Sequence, residues 1–254
     1  MLTIILVVLS LLIAQPTSPA NPDANPAAVA QPRTDAGWIQ RNASFNARAK
    51  QGREQGDIGM IFLGDSITQG WETNGKGVWE SRYAARRAVN MGIGGDKTQH
   101  VLWRIEHGNL EGLGKPEKGH APTLVVLMIG TNNQGYDSPE QIAGGIGAIV
   151  ESLGKRLPGT PVLLLGVFPR GEHAADPARE RIAEINRRAA KLADGKRVTF
   201  LDIGARFLGA DGSISKEIMP DFLHLSPKGY EVWGEAIEPE VKRLLGESAE
   251  PRKP

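Results

Sequence analysis

The amino-acid sequence predicts an α/β protein, a three-layer doubly wound sandwich around a five-stranded parallel sheet. Five apolar runs of strand length alternate with segments of helical character. The runs are continuous rather than alternating in polarity, as expected for parallel strands that are covered on both faces. With 254 residues the chain can bury one large core, so a single domain is expected.

The predicted strands alternate in order with the predicted helices. The strands are placed at residues 58–63, 88–93, 123–129, 161–168 and 197–203, and the helices at 38–53, 97–107, 138–157, 176–193 and 226–245. Two helices have clear start signals, because Ser138 and Ser226 are each followed by a proline. Strand and helix in alternation indicate a doubly wound sheet, and the number of strands favours a flavodoxin-like arrangement.

The first twenty residues are predicted to be a signal peptide. Residues 1–14 are apolar, and Ser18 and Ala20 supply small side chains for cleavage before Asn21. We therefore expect a secreted or periplasmic protein with no stable membrane span after cleavage. Because no Lys or Arg occurs before Arg33, an uncleaved anchor or a misassigned start codon are the alternatives.

Composition sets the remaining domain boundaries. Residues 21–37 are rich in Pro, Ala and Asn and have no apolar period, so they are predicted to form a flexible linker. Residues 38–245 form the predicted domain, and residues 246–254 a disordered tail.

Charge and residue usage exclude several functions. Lys and Arg number 30 against 29 Asp and Glu, without a basic block, so no nucleic-acid partner is expected. The absence of cysteine excludes disulfides, cysteine zinc sites and a thiol nucleophile. Four histidines lack the spacing of metal ligands: His100, His107, His120 and His173. No metal or other cofactor is predicted, and the oligomeric state is not indicated.

Three residues near the two ends of the predicted domain have the character of a catalytic triad. The first strand runs into Gly-Asp-Ser, which places Ser66 at the carboxyl edge of the sheet, where ligand sites form. Alone, Ser66 could simply cap a helix. Asp221 lies three residues before His224, so that one turn can bring the carboxylate to the imidazole. This pair precedes the last helix, at the same predicted edge of the sheet.

Two further strand ends offer hydrogen-bond donors for a developing oxyanion. Gly94 and Gly95 follow the second strand, where the backbone can approach a ligand closely. Asn132 follows the third strand and could direct its amide into the same cleft. Each of these features alone could be an ordinary turn.

Together these motifs resemble a known family. GDSI at residues 64–67, the glycine in GIGGD, GTNN at 130–133 and DFLH at 221–224 are similar to the four signature blocks of the SGNH, or GDSL-type, esterase superfamily. The similarity is greatest to the branch that contains the catalytic subunits of intracellular platelet-activating-factor acetylhydrolase and their bacterial relatives, and it spans about residues 38–245. Asn133 stands where the superfamily often has Asp. The acetylhydrolase-like branch shares this departure from the superfamily pattern.

The resemblance implies a role for each motif residue. Ser66 would be the nucleophile, His224 the general base and Asp221 its orienting partner. The backbone N–H groups of Ser66 and Gly95, with the Asn132 side chain, would form the oxyanion hole.

The predicted function is that of a secreted serine esterase that hydrolyses short-chain esters, acetyl esters foremost, of small-molecule or carbohydrate alcohols. The alternatives are a lysophospholipase or thioesterase with the same triad, and a non-catalytic carbohydrate-binding relative. Trp71 and Trp79 could line the substrate cleft or pack in the core. Arg170 could reach the site or form a structural ion pair.

Overall fold

A computed structural model describes residues 24–247 as one five-stranded parallel sheet with helices on both faces. The strands lie in the order β2-β1-β3-β4-β5, and every neighbouring pair is parallel. Their bounds are Met60–Gly64 (β1), Ala88–Gly92 (β2), Leu124–Met128 (β3), Val162–Leu165 (β4) and Val198–Leu201 (β5). The predicted fold class is confirmed, and each predicted strand overlaps an observed one.

Seven α-helices connect and cover the strands within the described residues. They are Ala36–Gln55 (α1), Ser66–Gln69 (α2), Lys76–Arg82 (α3), Thr98–Arg104 (α4), Pro139–Arg156 (α5), Pro177–Ala189 (α6) and Pro227–Leu245 (α7). Ser138 and Ser226 cap α5 and α7 by accepting hydrogen bonds from the backbone N–H groups of Gln141 and Gly229. The short helices α2 and α3, which follow β1, have no counterpart among the predicted helices. Single 3-10 turns lie at Pro26–Ala28, Gly70–Glu72, Ala84–Arg86, Thr131–Asn133, Ala190–Leu192 and Gly204–Phe207.

The sheet divides the core into two layers. On one face, Ile61 and Leu63 of β1 pack with residues of α1, α4, α5 and α6. On the other face, Met60 and Phe62 pack with α7 and with the segment around α3. All five residues of β1 and of β3 are buried, as the continuous apolar runs predicted.

The segment predicted to be a flexible linker is instead attached to the body over residues 24–35. Its 3-10 turn Pro26–Ala28 packs on α5, and Ala27 is fully buried. Asp35 caps α1 by accepting a hydrogen bond from the Trp38 N–H, so that this helix starts two residues earlier than the predicted domain. The prediction failed because contacts with distant residues order a segment that has no periodicity of its own.

The predictions for the extreme ends concern residues that are mostly outside the described range. The signal peptide at residues 1–20 and residues 248–254 of the tail lie there. Glu247, at the start of the predicted tail, forms an ion pair with Arg86 at 2.6 Å. Across residues 24–247, no helix is both long and apolar enough to cross a membrane.

Candidate active site

The turn after β1 presents Ser66 at the carboxyl edge of the sheet. Gly64 ends β1 where the backbone passes so close to β3 that a Cβ atom would lie 2.3 Å from the Met128 carbonyl oxygen. Asp65 then caps α2, because its Oδ1 accepts a 2.9 Å hydrogen bond from the Ile67 N–H. Ser66 is the first residue of α2, so its hydroxyl leaves the sheet edge at the start of the helix.

The loop before α7 folds Asp221 back onto His224. Asp221 Oδ1 accepts hydrogen bonds from the backbone N–H groups of Leu223, at 3.1 Å, and His224, at 2.7 Å. Phe222, directly after Asp221, adopts a left-handed conformation with φ of 59°, which is strained for a side chain of this kind. The strained turn leaves the second carboxylate oxygen facing the imidazole ring.

Ser66, His224 and Asp221 form a continuous chain of hydrogen bonds. Ser66 Oγ lies 2.9 Å from His224 Nε2, and His224 Nδ1 lies 2.7 Å from Asp221 Oδ2. Partial burial acts to raise the pKa of Asp221, but the hydrogen bonds from the side chain and backbone of His224 prevail and hold that pKa below its usual value. With its proton on Nδ1, the imidazole can accept the serine proton on Nε2.

Two hydrogen bonds fix the histidine loop relative to the serine turn. Tyr230 of α7 donates its hydroxyl proton to the Ile67 carbonyl oxygen at 2.6 Å. Asn74 Nδ2 donates to the Leu225 carbonyl oxygen at 2.9 Å. Both contacts join segments that are more than 150 residues apart, and they connect the segment that carries His224 with the segment that carries Ser66.

The predicted oxyanion donors lie on the two loops beside the serine turn. Within residues 24–247 neither the Ser66 N–H nor the Gly95 N–H has a hydrogen-bond partner. Gly95 has a φ of 79°, in the region that favours glycine. Asn132 Nδ2 donates to the Asp96 carbonyl oxygen at 2.9 Å, and since an amide nitrogen carries two hydrogens, the second remains for a ligand. Their role as an oxyanion hole stays a prediction.

The structure also places the residues whose roles were left open. Trp71 is only 1% exposed and packs on Phe62 and Tyr230, so it belongs to the core. Arg170 Nη1 lies 3.4 Å from both the carbonyl oxygen and the hydroxyl of Thr131, directly before Asn132. Among the described residues, the Arg170 side chain makes these hydrogen bonds and forms no ion pair.

Beside Asp221 there is an open cleft of about 310 Å³. Its lining includes Arg170 and Asp176 on one side and Asp221, Phe222 and Leu223 on the other. The cleft therefore combines charged and apolar surface beside the predicted catalytic carboxylate.

Asn133 is fully buried and holds the Asn132 turn against the start of α4. Its Oδ1 accepts from the Thr98 N–H at 3.0 Å. Its Nδ2 donates to Gln99 Oε1 at 3.0 Å and to Asp137 Oδ2 at 2.9 Å. An aspartate could make the first contact but not the others, which explains why asparagine suits this chain.

A buried ion pair that the sequence analysis did not assign lies under the Gly95 loop. Asp96 Oδ2 accepts a 2.8 Å hydrogen bond from Arg104 Nε, and both side chains are fully buried. A signal was present, since Asp96 ends the GIGGD motif and Arg104 interrupts the apolar run of residues 101–105. For metals, residues 24–247 contain no group of three or more His, Cys, Asp or Glu side chains arranged to hold an ion.

Comparisons with known proteins agree with this fold. Residues 62–232 match the model of the GDSL-like lipase/acylhydrolase family. The chain is 38% identical over 228 residues to the human platelet-activating factor acetylhydrolase IB subunit alpha1, which covers 89% of this chain and 92% of the relative. The protein belongs to the GDSL-like lipase/acylhydrolase family and is an ester-hydrolysing enzyme.

Solved structures of more distant proteins share the fold. A GDSL-like lipase from Bacteroides thetaiotaomicron superposes with a TM-score of 0.62 at 21% identity, covering 80% of this chain and 97% of that structure. An acetylxylan esterase from Geobacillus stearothermophilus gives a TM-score of 0.57 at 20% identity, covering 76% and 95%.

Proposed function

We propose that this protein is an exported serine esterase that removes short acyl groups, acetyl foremost, from alcohols that include carbohydrates. The observation that carries the proposal is the unbroken hydrogen-bonded chain from Ser66 Oγ through His224 to Asp221. In this proposal Ser66 is the nucleophile, His224 the general base and Asp221 the group that orients the imidazole.

The first half of the reaction transfers the acyl group to the enzyme. Ser66 Oγ bonds to the ester carbonyl carbon while its proton passes to His224 Nε2. The negative charge on the carbonyl oxygen meets the N–H groups of Ser66 and Gly95 and the free amide hydrogen of Asn132. The carbon–oxygen bond to the alcohol then breaks, and the alcohol leaves with the proton from His224.

The second half releases the acid. Water gives a proton to His224 Nε2 and bonds to the acyl carbon. The bond to Ser66 Oγ breaks, and the serine oxygen regains the proton from the imidazolium. Asp221 stays ionised throughout, which is consistent with its lowered pKa.

Polar walls beside Ser66 support a preference for short acyl groups. A Cβ atom on Gly94 would lie 3.7 Å from the Ser66 Cβ and 3.3 Å from Gln69 Oε1, so a glycine and a polar amide flank the nucleophile. Burial of a methylene in an apolar tunnel would supply about 0.8 kcal/mol, which a long acyl chain does not gain beside these polar walls. Summed over the extra methylenes of octanoate relative to acetate, the stabilisation that is not gained is about 5 kcal/mol.

The names of the relatives support the choice of acyl group and alcohol. The human relative is an acetylhydrolase, and one structural neighbour is an acetylxylan esterase. Acetyl esters of lipids and of carbohydrates are therefore both worth testing, with carbohydrates favoured for an exported enzyme.

Export rests on the apolar leader and its predicted cleavage after Ala20. Cleavage there would leave only residues 21–24 before Asn25, which is already attached to the body by a hydrogen bond. Fractionation of cells that produce the full chain, with N-terminal sequencing of the exported form, tests this part. A product retained in the cytoplasm with residues 1–20 intact would contradict it.

The catalytic proposal is tested by labelling and by a series of substrates. A fluorophosphonate should label wild type and Ser81→Ala, which changes an exposed serine, but not Ser66→Ala. Ser66→Ala should also lose nearly all turnover. Inert wild-type protein would instead indicate a non-catalytic carbohydrate-binding relative.

On p-nitrophenyl esters, kcat/KM should be greatest for acetate or propionate and fall at least about tenfold by octanoate. A maximum at octanoate or beyond would refute the short-chain assignment in favour of a lysophospholipase or thioesterase. Acetate release from acetylated glycans, compared with acetylated phospholipids, then identifies the class of alcohol.

A further inference from the structure

Residues 25–35 form an N-terminal strap that is fastened across α4 and α5. Asn25 Nδ2 donates to the Gln141 carbonyl oxygen at 2.9 Å, and the Thr98 hydroxyl donates to the Ala27 carbonyl oxygen at 2.7 Å. The Gln31 N–H donates to the Gln99 carbonyl oxygen at 3.1 Å. The strap is thus held along its length before it reaches the site.

At the end of the strap, Arg33 contacts the loop that carries Gly95. Its Nη1 donates to the Gly94 carbonyl oxygen at 2.6 Å and lies 3.3 Å from Asp96 Oδ1. Its Nε donates to Asp35 Oδ2 at 3.0 Å. Since Asp35 also caps α1, the guanidinium is held between the first helix and the loop.

The contact with the Gly94 carbonyl determines the direction of the Gly95 N–H. These two groups belong to one peptide unit, which is planar and trans, so they point in opposite directions. A guanidinium that holds the carbonyl on one side therefore directs the N–H to the other side. The positive charge also polarises the peptide group and makes the N–H a stronger donor.

The conformation of the loop leaves the Gly94–Gly95 peptide group open to support by Arg33. Gly95 has a φ of 79°, and a Cβ atom there would lie 3.1 Å from Arg33 Nη1. Glycine at this position is intrinsically flexible, and its N–H has no hydrogen bond within residues 24–247 to fix it. The Asp96 N–H closes the turn by donating to the Ile93 carbonyl oxygen at 3.1 Å, and the Gly94 N–H donates to Gln69 Oε1 at 2.7 Å. Arg33 is the side chain that holds the Gly94 carbonyl oxygen, and with it the direction of the Gly95 N–H.

We propose that Arg33 is a positioning residue that directs and polarises the Gly95 N–H, so that the N-terminal strap is a part of the active site. This inference rests on the proposed function, in which that N–H stabilises the oxyanion. Arg33 acts through the Gly94–Gly95 peptide group rather than on the substrate.

The test compares Arg33→Ala, Arg33→Lys and the control Arg48→Ala. Arg48 forms an ion pair with Asp57 and has a side-chain exposure of 27%, close to the 25% of Arg33. Asp96 keeps its hydrogen bonds from Arg104 and Trp38 when Arg33 is replaced, so the variant should remain folded.

For Arg33→Ala we expect kcat on p-nitrophenyl acetate to fall about tenfold, a fraction of the 10²- to 10³-fold loss for an entire oxyanion donor, with KM within about twofold. Arg33→Lys keeps the positive charge but not the planar guanidinium group, so its kcat should lie between those of Arg33→Ala and wild type. The kcat of Arg48→Ala should match that of wild type. Guanidinium ion at sub-denaturing concentration should restore part of kcat in Arg33→Ala alone. Unchanged kcat, or a rise in KM alone, would overturn the proposal.

A second measurement does not depend on activity. Hydrogen exchange of peptides covering residues 92–97 should be faster in Arg33→Ala than in wild type and in Arg48→Ala. Equal exchange would overturn the positioning role even if kcat fell. Should wild type show neither turnover nor labelling of Ser66, the esterase function fails, while the exchange comparison still decides whether Arg33 holds the loop.

Discussion

Replacement of Asp65 by asparagine should make the protein's stability less sensitive to pH. Asp65 is fully buried beside the proposed nucleophile, and burial, aided by the negative charge of Asp96, raises its pKa to about 7. The hydrogen bond from the Ile67 N–H and the charge of His224 oppose this increase only in part. The second carboxylate oxygen of Asp65 has no hydrogen-bond partner within the described residues. Burial of the ionised carboxylate is therefore unfavourable.

The sign and magnitude of the effect follow from linkage. Between the ordinary value of 3.8 and about 7, folded Asp65 keeps a proton that the unfolded chain releases. The folded state therefore loses stability from this group as pH rises through that window, and the loss is complete above pH 7. An increase in the pKa of Asp65 from 3.8 to about 7 corresponds to about 4 kcal/mol.

The assay is urea unfolding of wild type and Asp65→Asn at several values between pH 4 and pH 8. The asparagine keeps the acceptor for the Ile67 N–H and cannot ionise. We expect the free energy of unfolding of the variant, relative to wild type, to increase with pH by about 2 to 4 kcal/mol. Asp57→Asn is the control, because it removes the negative charge of a partly exposed carboxylate elsewhere in the protein. A difference between Asp65→Asn and wild type that stays constant with pH would refute the reasoning.

Two further predictions concern the turn after β3. Asn132→Ala should lower kcat about 10²- to 10³-fold with a smaller change in KM, because it removes one proposed oxyanion donor. A change in KM alone, in steady-state assays, would make Asn132 a ground-state binding residue. Asn133→Asp should destabilise the fold by about 4 kcal/mol at pH 8, since a second carboxylate would then face Asp137 in a buried site. Thermal unfolding should show recovery when Asp137→Asn is added, and a double variant no more stable than the single one would contradict the proposed repulsion.

Much of the fold was predictable because its signals are local. Continuous apolar runs identified the five strands, and the Ser226-Pro227 start signal located α7 to within one residue. The hydrogen-bonded arrangement of Ser66, His224 and Asp221 was predictable for the same reason: Gly-Asp-Ser ends a strand, and Asp221 and His224 are three residues apart. The resemblance then connected these distant segments, a step that periodicity alone could not supply.

The strap and the buried polar contacts were not predictable in this way. The partners of Asn25 and Ala27 are 116 and 71 residues away, and the Pro- and Ala-rich composition around them resembles that of an unstructured linker. Similarly, the sequence left the role of Trp71 open. Its burial depends on α7, which supplies Tyr230 and Trp233 against its ring.

The position of Asp96 explains why so many segments converge on the Gly95 loop. Its carboxylate accepts hydrogen bonds from Trp38 Nε1 at 2.8 Å and from Arg104 Nε at 2.8 Å, and it also lies beside Arg33. Arg104 in turn donates to the carbonyl oxygens of Met91 and Gly64, in the strands that lead to the Gly95 loop and to the serine turn.

A buried ion pair of this kind adds little net stability, since desolvation offsets most of the attraction between the charges. Its hydrogen bonds are directional, however, and they connect the end of β1 with the end of β2 through one rigid guanidinium. Arg104 thereby adds to the backbone contacts that already join these two strand ends, among them the 3.2 Å hydrogen bond from the Ile93 N–H to the Gly64 carbonyl oxygen.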